Sequence, residues 1–237
     1  MSVLLSTAYF PPVEYFAVMA DEFTLSADRV IPSIVYLEAA ENYQKQSYRN
    51  RCVIYSASGP ESLTFPVIHR NGTHKIPVSE IQVDYSRGWV VQHERAIASA
   101  YGTSAFYEYY KDELFSILES EPELLFDLNM SIMKFFIEKT GISVDLRLAE
   151  SYELPSPSKE ECCANSRYGK DYRELIHPKR ENTILEDLGL EKPYFQVFSQ
   201  KYGFIPNLSI MDLLFNEGPD SILYLKRPES LRSGILK

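Results

Sequence analysis

The residues of this chain that could do chemistry fall in a few short stretches. In ENYQKQSYRNRC, residues 41–52, Lys45, Arg49 and Arg51 stand among the neutral hydrogen-bonding side chains Gln44, Gln46 and Asn50. In an extended chain, side chains alternate faces, so Arg49 and Arg51 would share one side about 7 Å apart. Two guanidinium groups so placed can fork onto a carboxylate, phosphate or sulfate. The competing reading is a solvated strand whose arginines pair with surface acids for little gain. In GWVVQHERAIASAY, residues 88–101, Trp89 and His93 are four apart and share a helix face. His93 could act as a general base at neutral pH, or simply pack on Trp89. Asp212 lies inside a helix that is apolar almost all round, and a buried carboxylate needs a partner or a raised pKa. It reads either as a structural anchor or as an acid, a base or the orienter of a histidine. In DYRELIHPK, residues 171–179, Arg173, His177 and Lys179 flank a proline bend that suits anion capture, although charged loops are usually only solvated.

The common catalytic signatures are missing. G-x-G-x-x-G, the P-loop and G-x-S-x-G are absent. His93-Glu94 opens like H-E-x-x-H, but the fifth position is Ile97, so no zinc pair forms on that face. His69, His74, His93 and His177 show no other ligand spacing, so neither a metal nor a cofactor is expected. The net charge of −9 and the lack of a long basic run argue against nucleic acid, while leaving room for a local basic pocket. Cys52, Cys162 and Cys163 make no disulfide framework, and Asn71-Gly72-Thr73 reads as a turn rather than a glycosylation site. No apolar run is long enough to span a bilayer, and the first residues lack a basic n-region, so the expected location is cytoplasmic.

The elements that must position these groups follow from periodicity. Val3–Phe10 and Ile34–Ala40 read as strands with a helix over 13–20 between them, a βαβ unit with parallel strands. Residues 51–57 and 62–68 read as a hairpin around Ser58-Gly59-Pro60-Glu61, and Glu80–Tyr85 as a further strand. Helices are expected over 89–101, over 104–119 and from the capping pattern at 120–123 to Gly141. A strand follows at 143–149. Residues 151–183 form a long loop or small subdomain. Further strands are expected at 194–198 and 222–225, with a helix at 208–216 capped by Asn207. The fold class is therefore mixed α/β (α+β). An N-terminal βαβ and hairpin form a mixed sheet, a helical segment occupies the middle, and a C-terminal strand-helix-strand returns to the core. Residues 1–237 read as a single domain.

ENYQKQSYRNRC, LTFPV at 63–67, GWVVQHERAIASAY, AFYEYY at 105–110, DYRELIHPK, PYFQVF at 193–198 and PNLSIMDLLFNEGP at 206–219 occur in that order. Together they resemble the WbqC-like family in the form common in Bacteroides-type bacteria, over nearly the whole chain. Many members carry a His-Gln-Pro-type motif near the start. Here Ser6-Thr7-Ala8-Tyr9-Phe10-Pro11-Pro12 stands there, so any role of that histidine falls to Tyr9, His93 or His177. The resemblance implies a role in O-antigen or other surface-polysaccharide biosynthesis, with glycyl transfer to a sugar as the suggested chemistry. The resulting expectation is a transferase of a small acyl or aminoacyl group to an amino sugar. The alternative is a non-catalytic module that binds a sugar nucleotide or takes part in assembly. The candidate catalytic residues are His93, Asp212 and His177. An anionic small molecule or sugar nucleotide would be bound by Tyr9, Gln44, Lys45, Arg49, Asn50, Arg51, Trp89, Arg173, Lys179, Gln196 and Asn207.

Overall fold

A computed structural model describes residues 2–21, 24–26, 29–68, 76–154 and 167–228. The apolar N-terminal run forms strand β1 (Ser2–Ser6), in which Val3, Leu4 and Leu5 are wholly buried. Pro11 and Pro12 then open helix α1 (Val13–Asp21), and the chain passes through the small hairpin of β2 (Thr24–Ser26) and β3 (Arg29–Ile31). It returns as β4 (Ser33–Glu38), parallel to β1, so the expected βαβ unit is present. The sheet order is β7-β4-β1-β8, with every neighbouring pair parallel; β7 is Val144–Leu148 and β8 is Lys170–Asp171. β1 is buried on both faces over Val3–Leu5 and reads as a continuous apolar run, whereas β4 alternates buried and partly exposed residues over Ser33–Tyr36. Part of the 151–183 segment thus joins the sheet as β8 and sets Asp171 beside Leu4.

The second hairpin, β5 (Arg51–Ser56) with β6 (Gly59–Thr64), is a separate two-stranded sheet and does not extend the first. Its turn is the pair Ala57-Ser58, because Ser56 pairs with Gly59, and Pro60 is accommodated within β6 opposite Tyr55. The expected strand at 80–85 is instead a 3-10 turn at Val78–Glu80 followed by single bridges, Gln82 with Leu124 and Val83 with Val67.

The middle of the chain is helical as expected: α2 (Trp89–Tyr101), α3 (Tyr107–Glu119) and α4 (Leu125–Thr140). Gly88 (φ +60°) and Gly141 (φ +70°) take the left-handed conformations that open α2 and close α4. The C-terminal part departs most from expectation. Short helices α5 (Ile184–Asp187) and α6 (Ser199–Tyr202) precede α7 (Ile210–Glu217), and residues 222–225 form helix α8 (Ile222–Leu225), not a strand. No strand forms at 194–198. Ser209, not Asn207, caps α7 by accepting from the Met211 N–H at 3.3 Å. Asn207 Oδ1 instead accepts from the Glu14 N–H at 2.9 Å and so caps α1. His69, His74, the 71–73 sequon and Cys162-Cys163 lie outside the described residues.

Candidate functional site

The 43–51 segment does not run extended. Ser47 accepts from the Arg49 N–H and starts a 3-10 turn over Tyr48–Asn50, so strand geometry begins only at Arg51. The expected shared face of Arg49 and Arg51 is therefore corrected: the turn sends them to different places.

Arg49 turns inward and is 2% exposed. Its Nε and Nη2 donate to the Glu41 oxygens at 3.0 and 2.5 Å, and Nη2 also reaches Ser6 Oγ at 3.0 Å. Gln44 accepts from Arg49 Nη1 at 3.4 Å and donates to Glu174 at 3.3 Å. Close by, Arg173 donates to Asp171 Oδ2 at 2.7 Å and to Glu38 Oε2 at 3.2 Å. Ser6 and Glu38 pair with each other at the carboxyl ends of β1 and β4. Both arginines are thus saturated by buried carboxylates, which fix the chain where it leaves the parallel strands.

Arg51 faces outward into a cleft of about 510 Å³, a volume suited to a small ligand. Arg51 is half-buried, with Nε donating to Thr64 Oγ1 at 3.1 Å. Lys45 and Arg87 line the same cleft, and among the described residues no carboxylate does. Gln46, Asn50 and Gln92 add neutral hydrogen-bonding groups, and Tyr43, Phe65 and Trp89 form the floor. Asn50 is held by donating to the Phe65 carbonyl at 2.7 Å, while its Oδ1 and the Trp89 indole N–H have no partner among the described residues. Lys179 reaches this rim by donating to the Gln46 side chain. Gln46 holds φ +59°, a costly conformation for a residue with a side chain.

His93 lies behind the floor. Trp89 is stacked between Phe65 and Tyr85, and its edge meets the His93 ring at 5.0 Å. The Tyr9 hydroxyl and His93 Nδ1 share a hydrogen bond of 2.8 Å; with the Thr64 carbonyl as the acceptor of the ring proton, Nδ1 is assigned as the acceptor from Tyr9. Burial pushes its pKa down to about 4, so the ring is neutral at physiological pH, with both nitrogens engaged. Tyr9 is fully buried, and its own pKa is raised well above the usual range, chiefly by burial. The strained Phe10 (φ +42°) and the Tyr9 N–H bond to the Tyr48 carbonyl at 2.8 Å fix its position.

Asp212 is remote from His93. Its Oδ2 accepts from Tyr194 at 2.7 Å and Gln196 at 2.8 Å, and Tyr101 stands beside the same carboxylate. Tyr101 and His93 are eight residues apart on α2, about 12 Å along the axis. Asp212 therefore does not orient His93; Tyr9 does. Gln196 also brackets Ile205, donating to its carbonyl at 2.8 Å and accepting from its N–H at 2.9 Å, so it closes the 196–205 loop. Burial raises the Asp212 pKa to about 6, against the lowering effect of its hydrogen bonds.

Of the expected residues, Lys45, Asn50, Arg51 and Trp89 line one cleft with Lys179 at its rim, and Tyr9 and His93 lie beneath it. Arg49, Gln44 and Arg173 belong to the buried ionic cluster, and Asp212 and Gln196 to the network under α7. His177 and Asn207 line a different cleft with Glu14. Arg87 and Gln92 were not singled out from sequence. The one signal for Arg87 was a cation immediately before a glycine that opens a helix.

These features define a mixed α/β protein with a parallel sheet, a buried ionic cluster at the strand ends and a basic cleft beside it. The chain belongs to the WbqC-like protein family, whose model matches residues 7–224, a family associated with polysaccharide biosynthesis. An uncharacterized protein of Mycobacterium tuberculosis, Rv1507c, is 27% identical over 241 residues, covering 94% of this chain and 96% of that one. No solved structure matches the chain. Among the described residues no helix is long and apolar enough to cross a membrane.

Proposed function

We propose that the protein is a cytoplasmic transferase of surface-polysaccharide biosynthesis. It holds the phosphate groups of an activated amino sugar in the cleft of Lys45, Arg51 and Arg87 while a small acyl or aminoacyl group is attached to the sugar. One observation carries this reading. A chain of net charge −9 gathers three cations on one cleft whose described lining contains no acid. Unpaired guanidinium and ammonium groups around a concave surface focus a positive potential and favour phosphate oxygens. The neutral donors and acceptors Gln46, Asn50 and Gln92 suit sugar hydroxyls. The buried Arg49–Glu41 pair supports this assignment indirectly, because it fixes the turn that aims Arg51 outward.

The test is calorimetric titration with a nucleotide-linked amino sugar, with the same sugar lacking phosphate as control. Binding that needs the phosphates and falls about tenfold or more in Arg51→Ala supports the reading. Equal binding of both sugars ends it. A second reading, a non-catalytic binding module, is favoured by the engagement of both His93 nitrogens. Turnover of an acyl or aminoacyl donor separates the two.

A further inference from the structure

We infer that the first turn of α2 is the seat of the ligand's phosphate, which is read by the backbone N–H groups of Trp89, Val90 and Val91 as well as by the cations around it. The inference rests on the phosphate-binding reading of the basic cleft and deepens it by saying where in that cleft the anion lies.

The first N–H groups of a helix have no partner within it. In α2 the Gly88 N–H is taken by the Tyr85 carbonyl at 3.3 Å, which leaves those of Trp89, Val90 and Val91. Among the described residues no carbonyl or side chain accepts from these three, and no acid stands in the first turn. Arg87 directly precedes Gly88, and Gln92 ties it there by donating to the Arg87 carbonyl at 3.4 Å. A cation beside the positive end of a helix dipole is repelled unless an anion lies between them. Asp84, three residues before Arg87, does not line the cleft, and its Oδ1 accepts from the Ser86 N–H and hydroxyl at 3.0 and 2.5 Å. Arg51 and Lys45 add to the excess positive charge on the same cleft.

A positive helix end is not by itself a site. The second observation is a pair of buried side chains with unmet hydrogen-bonding capacity. Trp89 and Asn50 both line the cleft, and they are 3% and 7% exposed. Phe65 and Tyr85 stack on Trp89 with ring centroids at 4.7 and 5.5 Å, so the cleft meets the rim of the indole. The indole N–H has no partner among the described residues. Neither has Asn50 Oδ1, whose own amide is committed to the Phe65 carbonyl. A buried donor or acceptor left unpaired costs more than a typical hydrogen bond returns. A phosphate oxygen satisfies the donor, and a sugar hydroxyl satisfies the acceptor. The donors collect at the start of α2 and the free acceptor belongs to the 48–50 turn. The phosphate therefore lies over the helix end, where backbone N–H groups and the dipole favour an anion, and the sugar lies toward Asn50.

Trp89 is the one tryptophan of the chain, so its indole proton gives a single resolved signal. The experiment follows the isotope-labelled full chain by NMR during titration with inorganic pyrophosphate and with a nucleotide-linked amino sugar. The amide protons of Trp89, Val90 and Val91 and the indole proton are expected to move downfield together and saturate. Val91 is 47% exposed, so it can be replaced without disturbing the core. Val91→Glu places a carboxylate on the first turn, where it complements the dipole and competes with the phosphate. It is expected to keep the fold and weaken binding of both probes about tenfold or more, while the isosteric Val91→Gln stays within about twofold of the parent. The gap between the two variants is expected to persist at high salt, where repulsion at a distance is screened. The proposal is overturned if the probes bind without moving these signals, if the two variants bind alike, if the gap closes at high salt, or if neither probe binds. Sugar binding that needs the phosphates and Arg51 but leaves α2 unmoved removes this seat and keeps the proposed function. Pyrophosphate bound at α2, with sugar binding indifferent to phosphate, keeps the seat and removes that function.

Discussion

Replacing Asp212 with asparagine is expected to make the protein more stable at pH 8. The carboxylate is 1% exposed and its pKa stands at about 6 against an ordinary 3.8. A gap of roughly two pKa units corresponds to about 3 kcal/mol, and this already includes the help the ionised form receives from Tyr194 and Gln196. The sign follows from the raised pKa. The folded protein holds this proton more tightly than the unfolded chain does. The associated stability is fully present below pH 3.8 and is lost as pH rises through about 6. The asparagine side chain carries no charge, so the variant avoids that loss. Its carbonyl can accept from Tyr194 or Gln196, and its amide can turn toward Tyr101. Allowing for weaker neutral hydrogen bonds, the expected gain at pH 8 is about 1–3 kcal/mol, which moves Tm by roughly 2–4 °C per kcal/mol in a chain of this size. Urea melts of parent and variant at pH 5 and pH 8 isolate the effect, because the difference between their pH dependences cancels the other titrating groups. An Asp212→Asn variant less stable than the parent at pH 8, with the same pH dependence, would falsify the account of Asp212 as a buried, desolvated carboxylate.

Other outcomes follow from the same geometry. Arg87→Ala is expected to leave the fold intact and weaken phosphate-ligand binding about tenfold, with a shallower dependence of affinity on salt, measured by calorimetry. Arg49→Ala is expected to cost about 3–5 kcal/mol in a urea melt, because it strands Glu41 as a buried charge; replacing Arg49 and Glu41 together by apolar residues of similar volume should recover most of it. Tyr9→Phe removes the donor to His93 and is expected to cost about 1–3 kcal/mol, while nitrogen chemical shifts of His93 report a ring still neutral at pH 6. Asn207→Ala is expected to cost about 1 kcal/mol by uncapping α1, seen as faster amide exchange in the helix's first turn.

The fold class and most of the helices were legible because they rest on local signals. α3 was readable from its apolar spacing, and Gly141 marked the end of α4 as a glycine at a left-handed stop. The C-terminal part was not legible, because its segments are ambiguous alone. Residues 222–225, ILYL, have the composition of a strand and become α8 because they continue from the 3-10 turn at Gly218–Ser221. The site was half legible. Lys45, Asn50, Arg51 and Trp89 came from motif segments that do line one cleft. Arg49 could not be sorted from Arg51, since alternation assumes an extended chain and Ser47 capping breaks it. The commitment of Arg49 to Glu41 and of Arg173 to Asp171 and Glu38 depends on tertiary contacts that spacing does not encode. Glu14 was hidden for a related reason. Within VEYFAVMA it reads as the one solvent-facing residue of an apolar helix, and only the arrival of Asn207 and Asn182 shows it to be interior.

The joint between the two ends of the chain bears on synthesis. Asn207 caps α1 across 193 residues of sequence. The Val13 N–H donates to the Leu208 carbonyl, and the Ile210 N–H to the Pro11 carbonyl. At ribosomal rates of about 5–20 residues per second, α1 would wait roughly 10–40 s for its cap. During that time the nascent protein carries an apolar first helix whose stabilising partners have not yet been made. A chaperone that shields the segment around residues 13–20 until release should therefore raise the yield of folded protein more than one acting on any later helix.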